Sequence, residues 1–197
     1  MIATLAGLMQ MVRETLNAPR AGARRIMALD LPIKARWSAL VLMAIGSAVL
    51  THISFAMLPP NAREFFGEAM TSPFRTAVLQ FVAMVVGVHA IHRIGQMRGG
   101  QGNLADSIIL VAWLQFILLC LQGVQILAQV ILPLLAELIG LGGVVLFFWL
   151  LTNFVAELHG FKSLQATFFG VLGAMLALGF VLIFLFTLLF GGAAPGV

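Results

Sequence analysis

Charge is what this sequence has least of. Asp, Glu, Lys and Arg make up 9% of its 197 residues, whereas a soluble domain carries about 25%. That deficit leaves no room for a large soluble domain beside several membrane spans, so one membrane domain is expected. Cysteine is limited to Cys120, which rules out an internal disulfide and leaves the redox compartment open. Its mid-span position suits an inert buried thiol. Aspartate is scarce, which argues against a paired-aspartate intramembrane protease. No serine sits in a Gly-x-Ser-x-Gly elbow, and there is no His-Glu-x-x-His zinc motif. Gly99-Gly100-Gln101-Gly102 lacks the Lys-Ser/Thr of a phosphate loop, so nucleotide is not expected and the run reads as a flexible turn. The chain is therefore read as a non-enzyme, with no cofactor and no metal.

Apolar residues fill the space. They make up 61% of the chain, and the mean hydropathy is +1.08. The strongest signal runs from Asp106 to Gly160, where Glu137 is the only Asp, Glu, Lys, Arg or His between Ser107 and Ala156. The run is too long for one crossing of about 20 residues and suits two joined by a short turn. The break is placed between Pro133 and Gly143. Five spans are predicted, over residues 37–58 (ended by Pro59-Pro60), 76–91, 107–131, 139–158 and 166–190. The second is the weakest, being short and carrying Gln80 and His89. The fold class is thus an all-α, polytopic, five-helix membrane domain over residues 37–190. It is preceded by a segment 1–36 and followed by a tail 191–197.

Orientation follows from Lys and Arg in the short loops. Arg13, Arg20, Arg24, Arg25, Lys34 and Arg36 precede the first span, and Arg93, Arg98 and Lys162 fall in the second and fourth loops. Only Arg63 and Arg75 lie on the other side. Nine against two puts the N-terminus in the cytoplasm and, with five spans, the C-terminus outside it. The same bias accounts for the pI near 10.7, so no nucleic-acid partner is implied.

The first segment is not a signal peptide, because no basic region precedes its apolar stretch and Arg13 and Glu14 interrupt it. Ile2, Leu5, Leu8, Met9, Val12 and Leu16 fall on one helical face. A second, basic helix is expected over residues 20–29. Both read as amphipathic interfacial helices, with Arg20, Arg24 and Arg25 directed at anionic lipid headgroups. They would serve to anchor and orient the chain, or as a docking platform for a cytoplasmic partner.

The polar residues inside the spans are the candidate functional groups. Gln115, Gln122, Gln125 and Gln129 fall within an arc of roughly 80° on the third span. Amides facing lipid are costly. This face must bond to neighbouring helices, meet another membrane protein, or line a polar path. A second group gathers at the cytoplasmic ends of the spans: His89, His92, Asp106, Asn153, Glu157 and His159. Histidine and carboxylate suit zinc or iron, but interface histidines with Glu157 paired to one of them or to Arg93 explain the same spelling. Asn103 and Asp106 fit the N-cap and third helical position of the third span. Ala83 and Gly87 on the second span, and Gly170, Gly173, Ala174 and Ala177 on the fifth, form small-xxx-small faces suited to close helix packing within the chain or to homodimerisation. Trp149, near mid-span, is expected to pack inside the bundle.

Three stretches also resemble one family. Asp106-Ser-Ile-Ile-Leu-Val-Ala-Trp113, the glutamine-bearing helix ending at Pro133, and Asn153-Phe-Val-Ala-Glu-Leu-His-Gly-Phe161 are similar to bacterial members of the Yip family. The Pro19-Arg20 and Leu31-Pro32 contexts and the Gly-Gly-x-Gly before the third span fit too. The resemblance implies a five-helix membrane domain with a cytoplasmic N-terminus and supplies no catalytic residues. Eukaryotic relatives interact with Rab-type GTPases, but their long soluble N-terminal region has no counterpart here. The expectation is a scaffold, assembly factor or accessory subunit of the bacterial inner membrane, with the bilayer and another membrane protein or itself as partners. The alternative is a small transporter or channel using the polar face of the third span.

Overall fold

The computed structural model describes residues 4–58, 63 and 72–190. The described residues form seven helices and no strand: α1 Leu5–Asn17, α2 Pro19–Met27, α3 Ile33–Ala56, α4 Pro73–Met97, α5 Leu104–Ile131, α6 Pro133–His159 and α7 Leu164–Phe190. Five of them, α3 to α7, are long and apolar enough to cross a membrane. At 24 to 28 residues each, they exceed the ~30 Å hydrocarbon core at 1.5 Å per residue. Pro59-Pro60, Ile2 and the tail 191–197 lie outside the described residues.

The helix starts follow simple chemistry. Pro19, Pro73 and Pro133 occupy first turns, where the missing N–H costs nothing. Ser72 and Asn103 accept the N–H of Arg75 and Asp106 at 3.4 and 2.8 Å. Asn103 Nδ2 also donates to Asp106 Oδ2 at 2.7 Å, which closes a reciprocal cap of the expected spelling.

Two bounds depart from the sequence expectation. Helix α4 does not stop before His92-Arg93. It runs on to a Schellman end at Gly99, where φ is +81° and Gly100 N donates to Gly95 O at 2.9 Å. Helix α6 has no break between Pro133 and Gly143; Leu132 alone separates it from α5. Its glycines let α5 come close instead of ending the helix. A Cβ on Gly140 would lie 2.8 Å from Gln125 Nε2, and one on Gly143 would lie 3.1 Å from Leu121 Cδ2.

Helix α5 is the hub, packing against α3, α4 and α6, while α7 leans on α6. One apolar cluster joins α5 and α6 to the two short helices: Met11, Ala23 and Ile26 meet Leu110, Trp113, Leu150 and Phe154. A second joins α3, α4 and α5 through Leu40, Val88, Ile108 and Ala112. The buried face of α1 is centred on Met11 and Thr15, rotated from the one read in sequence, and Leu5 and Met9 are exposed. Trp149 is a correction as well. It is 42% exposed, whereas Trp113 is 7% exposed, because α6 turns Leu150, Leu151 and Phe154 inward.

Candidate functional site: the charged end of the bundle

The ends of α4 and α6 and the starts of α3 and α5 meet at one end of the bundle, and α1 and α2 lie across it. Glu157, in the last turn of α6, is the anchor. It accepts from Arg20 Nε at 3.0 Å and from Arg24 Nη1 at 2.8 Å, with its side chain 14% exposed. Arg20 Nη2 also donates to Phe161 O at 2.9 Å. One carboxylate thus joins α2 to the α6–α7 turn by charge-assisted bonds. All three arginines expected at headgroups therefore have a protein partner: Arg20 and Arg24 share Glu157, and Arg25 pairs with Glu14 of α1. Packing makes the arrangement possible. A Cβ on Gly22 would fall 2.6 Å from Thr15 Oγ1, so only glycine lets α2 fold back on α1. Thr15 Oγ1 in turn donates to Met11 O at 2.8 Å and accepts from Trp113 Nε1 at 3.2 Å.

A second pair lies beside it. Arg36, 6% exposed, donates to Asp106 Oδ1 at 2.5 Å and to Leu31 O at 2.8 Å. A buried guanidinium needs such a partner, and this pair ties the start of α3 to the start of α5.

The third element is His159, 3% exposed. Its Nδ1 accepts from Gly102 N at 3.2 Å and its Nε2 faces Ile91 O at 3.1 Å. Those partners select the tautomer with hydrogen on Nε2. Phe161 stacks on the ring at 5.4 Å. Cβ atoms on Gly95, Gly100 and Gly102 would all collide with this imidazole or its neighbour Leu158. The glycine run is therefore a socket for His159, not the flexible turn read from sequence.

The six residues expected to cluster thus divide. Asp106, Glu157 and His159 each serve a separate contact. Asn153 Nδ2 donates to Trp149 O within its own helix at 2.8 Å. His89 Nδ1 is bonded to Val85 O at 2.8 Å, and His92 Nδ1 is buried without a partner. Among the described residues, no three of His, Cys, Asp and Glu lie close enough to hold a metal ion.

The glutamine face divides too. Gln115 Nε2 donates to Ser47 Oγ on α3 at 3.1 Å, Gln125 abuts Gly140 on α6, Gln122 is half-buried and Gln129 is exposed. Gln80, doubtful in a span, donates to Thr51 of α3 at 3.2 Å. Of the four glutamines only Gln115 borders a cavity of about 740 Å³ between α4 and α7.

A family model, the Yip1 domain, matches residues 13–186. The chain belongs to the Yip1-domain family. No curated protein and no solved structure matches it. The Yip1 match begins at Arg13, within α1, so α2 and the Thr15 contact fall inside the Yip1 domain together with α3 to α6 and most of α7. Sequence reasoning placed the acidic and imidazole groups at one end but missed Arg36, Thr15 and the glycine socket. Arg36 looked like one more topology charge, and Thr15 sat outside the apolar face. The close spacing of Gly95, Gly100 and Gly102 was the available signal for the socket.

Proposed function

We propose that this Yip1-domain protein is a non-enzymatic integral membrane protein of the bacterial cytoplasmic membrane, acting as a scaffold, assembly factor or accessory subunit. Its N-terminus would lie in the cytoplasm. The observation that supports this most is the plate made by α1 and α2. Its apolar side is spent on α5 and α6, Glu157 locks it down, and Arg13, Arg24 and Arg25 lie on its exposed side, the last two more than half exposed while paired with Glu157 and Glu14. A rigid basic surface of this kind suits an acidic partner segment or anionic headgroups. Gln129, exposed among Leu127, Val130 and Ile131, provides an amide for a partner helix within the membrane. The division of the glutamine face between two neighbouring helices favours this reading over a continuous translocation path.

Affinity purification of the tagged chain in a mild detergent tests it. A stoichiometric partner is expected, with recovery falling when Gln129→Leu is combined with Arg24→Ala and Arg25→Ala. A protein that runs alone at every detergent strength would remove the basis for a scaffold.

A further inference from the structure

The groove between α4 and α7 has a different character from the clamped end beside it. Its walls are apolar: Ala83, Gly87 and Ala90 on α4 face Gly170 and Ala174 on α7, with Phe147 and Leu151 of α6 behind them. The small-xxx-small faces of α4 and α7 were expected to pack helix on helix. Ala83, Gly87, Gly170 and Ala174 border open space instead, and a Cβ on Gly87 would meet nothing within 4 Å. The charged residues in the lining are Arg98 and Lys162, both at one mouth and both cations. Among the described residues neither is paired with a carboxylate. Arg98 reaches from the end of α4 to α7, where its Nη1 would lie 2.8 Å from a Cβ on Gly170. Ser163 and the start of α7 border the same mouth, and the helix N-terminus adds partial positive charge there.

We propose that this groove is a binding site for one phospholipid with an anionic headgroup. Three features select that occupant. The volume, about 740 Å³, lies in the range of sites that enclose a whole ligand (~300–1,000 Å³). The distance along α4 from Arg98 to Ala83 is roughly 22 Å at 1.5 Å per residue. That is enough for an acyl chain crossing one leaflet, about half of a ~30 Å core. The charge is complementary only at the mouth, where a phosphate would sit level with Arg98, Lys162 and Ser163. A transmembrane helix of another protein would match the walls but leave the two cations facing apolar surface. The lipid site and the proposed partner surfaces are separate, since Gln129 and the outer face of α2 do not border the groove.

Native mass spectrometry of the purified protein tests the site without any partner. The detergent-solubilised protein is given equal amounts of palmitoyl-oleoyl phosphatidylglycerol and the corresponding phosphatidylcholine. One phosphatidylglycerol is expected to be retained in preference, and the preference should fall about fivefold for each cation removed in Arg98→Gln and Lys162→Gln. Gly87→Leu, which points a side chain into open groove, should abolish retention of both lipids while leaving the thermal transition in place. Ala174→Phe fills the opposite wall and should do the same if Gly87→Leu fails to fold. Equal retention of the two lipids by the unsubstituted protein would overturn the proposal, as would unchanged retention in the folded groove-filling variant. So would a lipid-free dimer, which would mean that a second copy covers the groove.

Discussion

His159 sits where three glycines leave it room, and its two ring nitrogens join Gly102 at the start of α5 to Ile91 of α4. The physical content of each glycine is the side chain it lacks. Gly102→Ala would bring a Cβ to 2.6 Å from Leu158 Cγ and 2.8 Å from His159 Cε1, so it is expected to cost about 1–3 kcal/mol through overpacking. Gly123→Ala, with nothing within 4 Å of its added Cβ, should be neutral or stabilising by up to about 1 kcal/mol, since alanine is the better helix former. Thermal unfolding of both variants in one detergent checks the contrast. If Gly102→Ala melts with the parent, the socket does not hold the end of α6. The sequence displays those glycines openly, yet a glycine run spells a loose turn and a tight socket identically. Only the side chain that fills the space tells them apart.

At the scale of elements, the two short helices are held by a few long-range contacts. Arg20 and Glu157 are 137 positions apart, and Arg24 reaches the same carboxylate, so without Glu157 α2 keeps its apolar contacts, the Arg20–Phe161 O bond and its pairing with α1. Glu157→Gln keeps the shape and removes the charge, at an expected cost of about 1–3 kcal/mol. Hydrogen exchange should then quicken across residues 5–27 while α5 stays protected. Glu14→Gln is the control. Its partner Arg25 is more than half exposed, and such surface pairs contribute only about 0–1 kcal/mol. Equal exchange in both variants would mean that apolar packing alone holds the plate. The helical character of these elements could be read from periodicity, but the rotation of the buried face of α1 toward Met11 and Thr15 could not. A threonine counts as polar until its hydroxyl is seen bonded to Trp113.

For the whole molecule, five long apolar helices in series require successive connections to alternate sides. With Cys120→Ser as background, Asp30→Cys and Lys162→Cys should be labelled by an impermeant maleimide from one face of the membrane, and Arg63→Cys and Leu132→Cys from the other. Asp30 and Lys162 reacting from opposite faces would mean that one of the five helices does not cross. The charged end, with Arg20, Arg36, Asp106 and Glu157, then lies at a single membrane surface.

What the sequence determined by itself is the class of structure and its punctuation. Five spans follow from the length of uncharged runs against a bilayer thickness, and the start of α5 after Asn103 follows from cap chemistry. These are local properties, decided within about 30 residues because a backbone in lipid must satisfy its own hydrogen bonds. The tertiary structure alone decided which charge meets which, and where space is left. Arg36 finds Asp106 70 positions away, and Arg20 and Arg24 converge on Glu157. Ala83 and Gly87 of α4 and Gly170 and Ala174 of α7 border an open groove instead of a helix contact. Charge pairing and cavity shape depend on how helices distant in sequence lean on one another, and no spelling within a single helix carries that information.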